Sequence, residues 1–186
     1  MRRRGVMRWI CTVLFLSFSL WGCEEKIKPS VLPGIDSQTI PQQESWNSTI
    51  ALSDSGQLKA LIQSGYIQKY DEPREILLRE GVTVFFYDDE QRHTSTLTSR
   101  EGKVDELTNN LEAHGNVVVI SQESTRLQTE KLYWDNGRRL IHTPEYVSIV
   151  SPREQVQGKG FESDQQLRNY RIFRVTGRTT TPSSSR

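Results

Sequence analysis

Cysteine is almost missing from this chain, with two in 186 residues. Cys11 lies in an apolar run near the start, so only Cys23 stands at or beyond the end of that run, and the rest can form no internal disulfide. Histidine is nearly as scarce. His93, His114 and His142 have no cysteine, histidine or acidic partner at metal-ligand spacing and read as surface or turn residues. There is no glycine-rich phosphate loop opening a helix and no G-x-S-x-G. An excess of positive charge is missing too. Lys plus Arg number 24 against 23 acids; setting aside Arg2, Arg3, Arg4 and Arg8 leaves 20 bases, a balance near −3. These absences argue against an enzyme, a metal centre, a cofactor and a nucleic-acid surface.

The N-terminus is where the missing charge balance is explained. MRRRGVMR is followed by WICTVLFLSFSLWG, residues 9–22, fourteen positions without a charge. A basic start, a short apolar core and a small closing residue form an export signal. Fourteen residues fall short of the roughly 20 that a membrane-spanning helix needs. The ending Leu20-Trp21-Gly22-Cys23 resembles the bacterial lipoprotein signal. That resemblance makes 1–22 a signal helix that is removed, and Cys23 the lipid attachment site. The alternative is an uncleaved single-helix anchor. Residues 24–45 are polar and hold three of the seven prolines, so 23–45 reads as a lipidated tether. The end, TTTPSSSR, marks 178–186 as a disordered tail. One domain, 46–177, remains, long enough for one core without disulfides.

Within that domain the apolar residues alternate. Ile50 and Leu52, then Val82, Val84 and Phe86, then NVVVI at 116–120, then Val147 and Ile149 are β-branched or aromatic and bounded by turn formers. The segment LKALIQSGY at 58–66 is the one helix candidate, although Leu58, Ala60 and Ile62 also alternate. Asn136-Gly137 is the strongest hairpin signal. The acids of Asp71-Glu72 and Asp88-Asp89-Glu90 fall in turns, and Arg138-Arg139 marks either a solvated hairpin end or a rim that could meet phosphates.

The strands also repeat. Val82 corresponds to Val117 and Leu97 to Leu132 at an offset of 35; Leu127 corresponds to Val156 and Leu132 to Phe161 at 29. The alternation slips phase between Thr129 and Leu132, and Gly158 and Gly160 occupy the same point of the next unit. A slip in a period of two implies a bulge or corner near 130–131 and 158–160. Corners let long strands pass from one sheet into another, which predicts two facing sheets open at both ends.

Four stretches in order carry a family likeness: Gly115–Val119, Leu127–Asp135, Thr143–Ile149 and Gly158–Asp164, with TSTLTSREGKVDEL at 94–107 upstream. Together they resemble the LptC family, the periplasmic component of lipopolysaccharide export, over about 46–177. The resemblance implies an all-β fold, a twisted open β-jellyroll of the OstA-like kind. It implies a protein on the periplasmic face of the inner membrane that takes lipopolysaccharide from the permease subunits of an ABC transporter. It implies delivery to a soluble bridge protein of the same fold. Members that keep an uncleaved membrane helix differ from this chain, whose anchor reads as a lipid.

Acyl chains seek burial at about 0.8 kcal/mol per CH₂. The residues expected to line an apolar interior are Ile50, Leu52, Val82, Val84, Phe86, Leu97, Val117, Val119, Leu132, Val147, Ile149 and Phe161. They could equally pack on one another as an ordinary core. An interior open at its ends favours lipid transfer; a filled one favours the rival, a scaffold or adhesion lipoprotein that binds only proteins. The last strand, with Arg171, Ile172, Phe173, Arg174 and Val175, is expected at an edge free to pair with the bridge protein. Arg171 and Arg174 could instead be charges that prevent such pairing.

Overall fold

Alternating β-branched and polar residues cover almost the whole domain, and they form strands almost without interruption. The computed structural model describes residues 40–180. The export signal, Cys23 and most of the tether lie outside the described residues, as do positions 181–186. Ten strands succeed one another: β1 (Gln43–Asp54), β2 (Gln57–Asp71), β3 (Arg74–Tyr87), β4 (His93–Ser99), β5 (Glu101–Asp105), β6 (Leu111–Ser121), β7 (Arg126–Asp135), β8 (Leu140–Val150), β9 (Glu154–Asp164) and β10 (Tyr170–Thr180). All pairings are antiparallel and join neighbours along the chain, with β4 and β5 both lying between β3 and β6. β1 and β10 are the two edges.

The helix candidate at 58–66 is part of β2, so the period-two reading of Leu58, Ala60 and Ile62 prevails there. The strands also reach past both expected domain boundaries, starting at Gln43 and running through Arg178 to Thr180.

Most strands turn a corner midway. In β3 the inward residues are Ile76 and Leu78, then Val82, Val84 and Phe86; in β6 they are Leu111 and Ala113, then Val117 and Val119. Between them lie Glu80-Gly81 and Gly115-Asn116, each pair with positive φ in succession (60° and 85°, 75° and 49°). Glycine suits such positions because it has no Cβ to clash. In β7 and β9 the inward residues change parity instead: Leu127 and Thr129 then Leu132 and Trp134, Val156 then Phe161 and Ser163. The pairing registers shift at the same level, at Ser64/Tyr66, His114/Val117, Gln128/Tyr133 and Thr143/Tyr146. β4 and β5 are one strand interrupted at Arg100, whose amide donates to both His114 and Gly115 carbonyls.

The corners form a spine, and the single sheet folds along it into two limbs. The two facing sheets expected from strands that turn corners are the two limbs of one continuous sheet doubled over. The expected corners at 130–131 and 158–160 are both present, the latter with Gly160 at φ 77°. The core fills the space between the limbs as one apolar cluster. Among the described residues no helix is long and apolar enough to cross a membrane.

Candidate functional site

The folded sheet brings eleven of the twelve expected interior residues into that one buried cluster; Ile50, on the edge strand β1, packs against it only partly buried. The cluster also takes in residues that were not among those twelve: Leu78, Val104, Leu127, Trp134 and Ile141 among others. Phe86 on one limb meets Trp134 on the other edge to face, with centroids 5.1 Å apart. Val84, Phe86, Val119 and Ile149 are 0% exposed, so the interior is occupied by the protein's own side chains. A ligand between the limbs requires them to separate.

Opposite the spine, polar groups close the mouth. Ser95 of β4 donates from Oγ to the Gln165 carbonyl at 2.7 Å, fully buried. Asp89, in the turn after β3, accepts from Lys59 Nζ at 2.7 Å and from Arg139 Nη1 at 2.5 Å. The Lys59 bond and then the Arg139 bond hold the Asp89 carboxyl below its ordinary value. Arg139 therefore serves the mouth, at the hairpin expected from Asn136-Gly137; the positive φ there falls on Arg139 itself (55°). Its neighbour Arg138 lies 4.0 Å from Glu162. Leu167, in the turn between β9 and β10, is turned into the core at 2% exposure despite a positive φ of 58°.

The outer surface carries a groove of about 530 Å³ along the spine, with Val118, Gln128, Glu130, Tyr146, Ser148 and Gln157 in its lining. It lies on the face away from the core, and only Val117 and Val147 of the expected interior reach it.

Arg171–Val175 lie on the C-terminal strand β10, which among the described residues pairs with β9 alone. Ile172 packs on the core, while Phe173 and Val175 are more than half exposed. Arg171 lies over the Phe173 ring at 4.8 Å and 3.9 Å from Glu162, so one of the two edge arginines is engaged within its own sheet. Tyr170 and Arg178 hold β10 to β9 through Glu154: the tyrosine hydroxyl donates at 2.6 Å and the guanidinium Nε at 2.7 Å. Burial, then the Glu154 bond, pushes the Tyr170 hydroxyl up to about 12.

A model of one protein family, described as lipopolysaccharide-assembly, LptC-related, matches residues 11–180. No curated protein matches the chain.

Proposed function

The chain belongs to the LptC-related family of lipopolysaccharide-assembly proteins, and from that premise we propose that its folded sheet holds the acyl part of lipopolysaccharide between its limbs and passes it on along the sheet. The observation that carries this reading is the interior itself: one apolar cluster runs from Leu52 on the first strand to Phe161 on the ninth, and both ends are unpaired edges among the described residues. Among the described residues the doubled sheet carries no lid domain. It opens by spreading its limbs about the glycine-bearing spine. Ile50, Leu52, Val82, Val84, Phe86, Leu97, Val117, Val119, Leu132, Val147, Ile149 and Phe161 would then face the lipid.

Two finer assignments belong to the same proposal. Lipopolysaccharide arrives from the permease subunits of an inner-membrane ABC transporter and leaves to a soluble periplasmic bridge protein of the same fold, which pairs with the β10 edge through Arg171–Val175. The chain is held at the periplasmic face of the inner membrane by lipid on Cys23. Mass measurement of the mature N-terminus checks the anchor: an intact Met1 with unmodified Cys23 refutes it.

The filled interior favours one rival, a scaffold that binds only proteins through its edges. A photo-crosslinker distinguishes the two. Placed at Val119 or Phe161 it captures lipopolysaccharide if the limbs admit lipid, and at Thr83 or Val118, on the other face, it captures little. Equal capture on both faces, or none at either, supports the scaffold.

A further inference from the structure

Two polar side chains inside the apolar interior have no hydrogen-bond partner among the described residues: the indole Nε1 of Trp134 and the hydroxyl of Ser163. Both are nearly inaccessible, at 2% and 1% exposure. Unpartnered buried polar groups are uncommon in folded proteins, because each has lost its water without a replacement. These two are not scattered. Trp134 of β7 pairs with Ile141 of β8, and Ile141 pairs with Ser163 of β9. Directly paired residues put their side chains on one face, so the indole and the hydroxyl share a row on the inner face with one isoleucine between them. The row lies one residue from the ends of β7 and β9, close behind the mouth. In front of it stand the Asp89–Arg139 pair and the turn whose Gln165 carbonyl takes the Ser95 bond and whose Leu167 dips into the core.

We propose that Trp134 Nε1 and Ser163 Oγ form a hydrogen-bonding subsite for the carbonyl oxygen at the head of an acyl chain, uncovered when the β9–β10 turn lifts Leu167 out of the mouth. Both groups can donate, and an indole N–H can only donate. The occupant must therefore bring an acceptor into an otherwise apolar space. An ester- or amide-linked acyl chain does this: its alkyl part matches Ile141, Leu132 and Phe161, and its carbonyl is the acceptor nearest the alkyl part. The position next to the mouth suits the head of the chain, with the tail directed towards the spine. This inference rests on the reading of the interior as a lipid site and adds which atoms recognise the lipid.

The test compares methyl palmitate with hexadecyl methyl ether, which differ in the carbonyl. The full chain is labelled with ¹⁵N at tryptophan, and the Trp134 indole resonance is assigned by its loss in Trp134→Phe or by elimination against Trp9→Phe, Trp21→Phe and Trp46→Phe. The ester shifts that resonance downfield and the ether does not. Wild type binds the ester about fivefold more tightly, the worth of a modest net hydrogen bond. Ser163→Ala lowers this preference without lowering the melting temperature, since it removes an unpartnered hydroxyl. Trp134→Phe abolishes the preference; should that variant fail to fold, the wild-type resonance and Ser163→Ala decide. Equal binding of ester and ether, or an indole resonance indifferent to the ester, overturns the subsite and leaves the lipid reading standing. Failure of both probes to bind also overturns it, and the lipid reading falls with it only if crosslinking at Val119 and Phe161 fails as well.

Discussion

Ser95 and the carbonyl of Gln165, separated by 70 residues of chain, are joined by a buried hydrogen bond of 2.7 Å. It is the link that ties the β9–β10 turn to the opposite limb. Ser95→Ala leaves that carbonyl buried and without its donor, a cost of about 1–2 kcal/mol. Chemical denaturation is expected to show that loss, and amide exchange is expected to quicken over 165–169 ahead of the rest of the sheet. Uniform quickening would mean the bond stabilises the domain without latching the turn.

At Gly158 the neighbouring strand β10 leaves no room for a side chain. A Cβ there would overlap both the Arg174 carbonyl oxygen and Ile172 Cγ2. Gly158→Ala is therefore expected to push β10 away and cost about 1–3 kcal/mol. Thermal unfolding measures the cost. Protection lost in β10 with β2–β7 unchanged locates it.

The Asp89 contact predicts an acid response. Its carboxyl titrates below the ordinary 3.8 in the folded protein, chiefly because of the Lys59 bond and then the Arg139 bond. A depressed carboxylate adds stability above the unfolded pKa and gives it up as pH falls through the folded one. Its contribution is thus complete at neutral pH and fades below 3.8. Asp89→Asn is expected to be less stable than wild type at pH 7, with the two converging in strong acid. A difference that stays constant into acid would assign the loss to packing rather than charge.

Proline at position 173 removes one amide donor from the edge strand and restrains its backbone. Phe173→Pro is expected to lose capture of the soluble bridge protein while keeping its β-sheet circular dichroism and its lipid crosslink at Val119. Undiminished capture in a pull-down would exclude this edge as the docking surface.

The alternation of Val82, Val84 and Phe86 and its echo at Val117 and Val119 made the strands and their inner faces readable, because burial on one face of a strand imposes a period of two. The corners in β7 and β9 were readable for the same reason, since the parity of Leu127 and Leu132 differs. Those in β3 and β6 were not: from Leu78 to Val82 and from Ala113 to Val117 the parity holds, and the bend shows in the successive positive φ of Glu80-Gly81 and Gly115-Asn116 and in the register shifts beside them. Ile50 was expected to be fully inside, but it lies on a strand with a neighbour on one side only. The closure of the mouth left no trace in periodicity. Ser95, Asp89, Arg139 and Leu167 lie in turns or are isolated polar positions, and their common origin is the folding of the sheet over itself. That folding also explains why the interior, which the sequence left either open or filled, is filled: the residues alternation selects on each limb are long enough to meet in the middle.

Strand order matches chain order throughout this sheet, with the short β4–β5 break as its only departure. A chain emerging N-terminus first can therefore add each strand to one already in place, and none must wait for a partner made much later. Such sequential growth keeps loop closures short, the condition under which β-structure forms fastest. The exceptions are the contacts across the mouth, which join β4 and the turn after β3 to the turns after β7 and β9. These bonds can form only once both of the distant segments they join are in place.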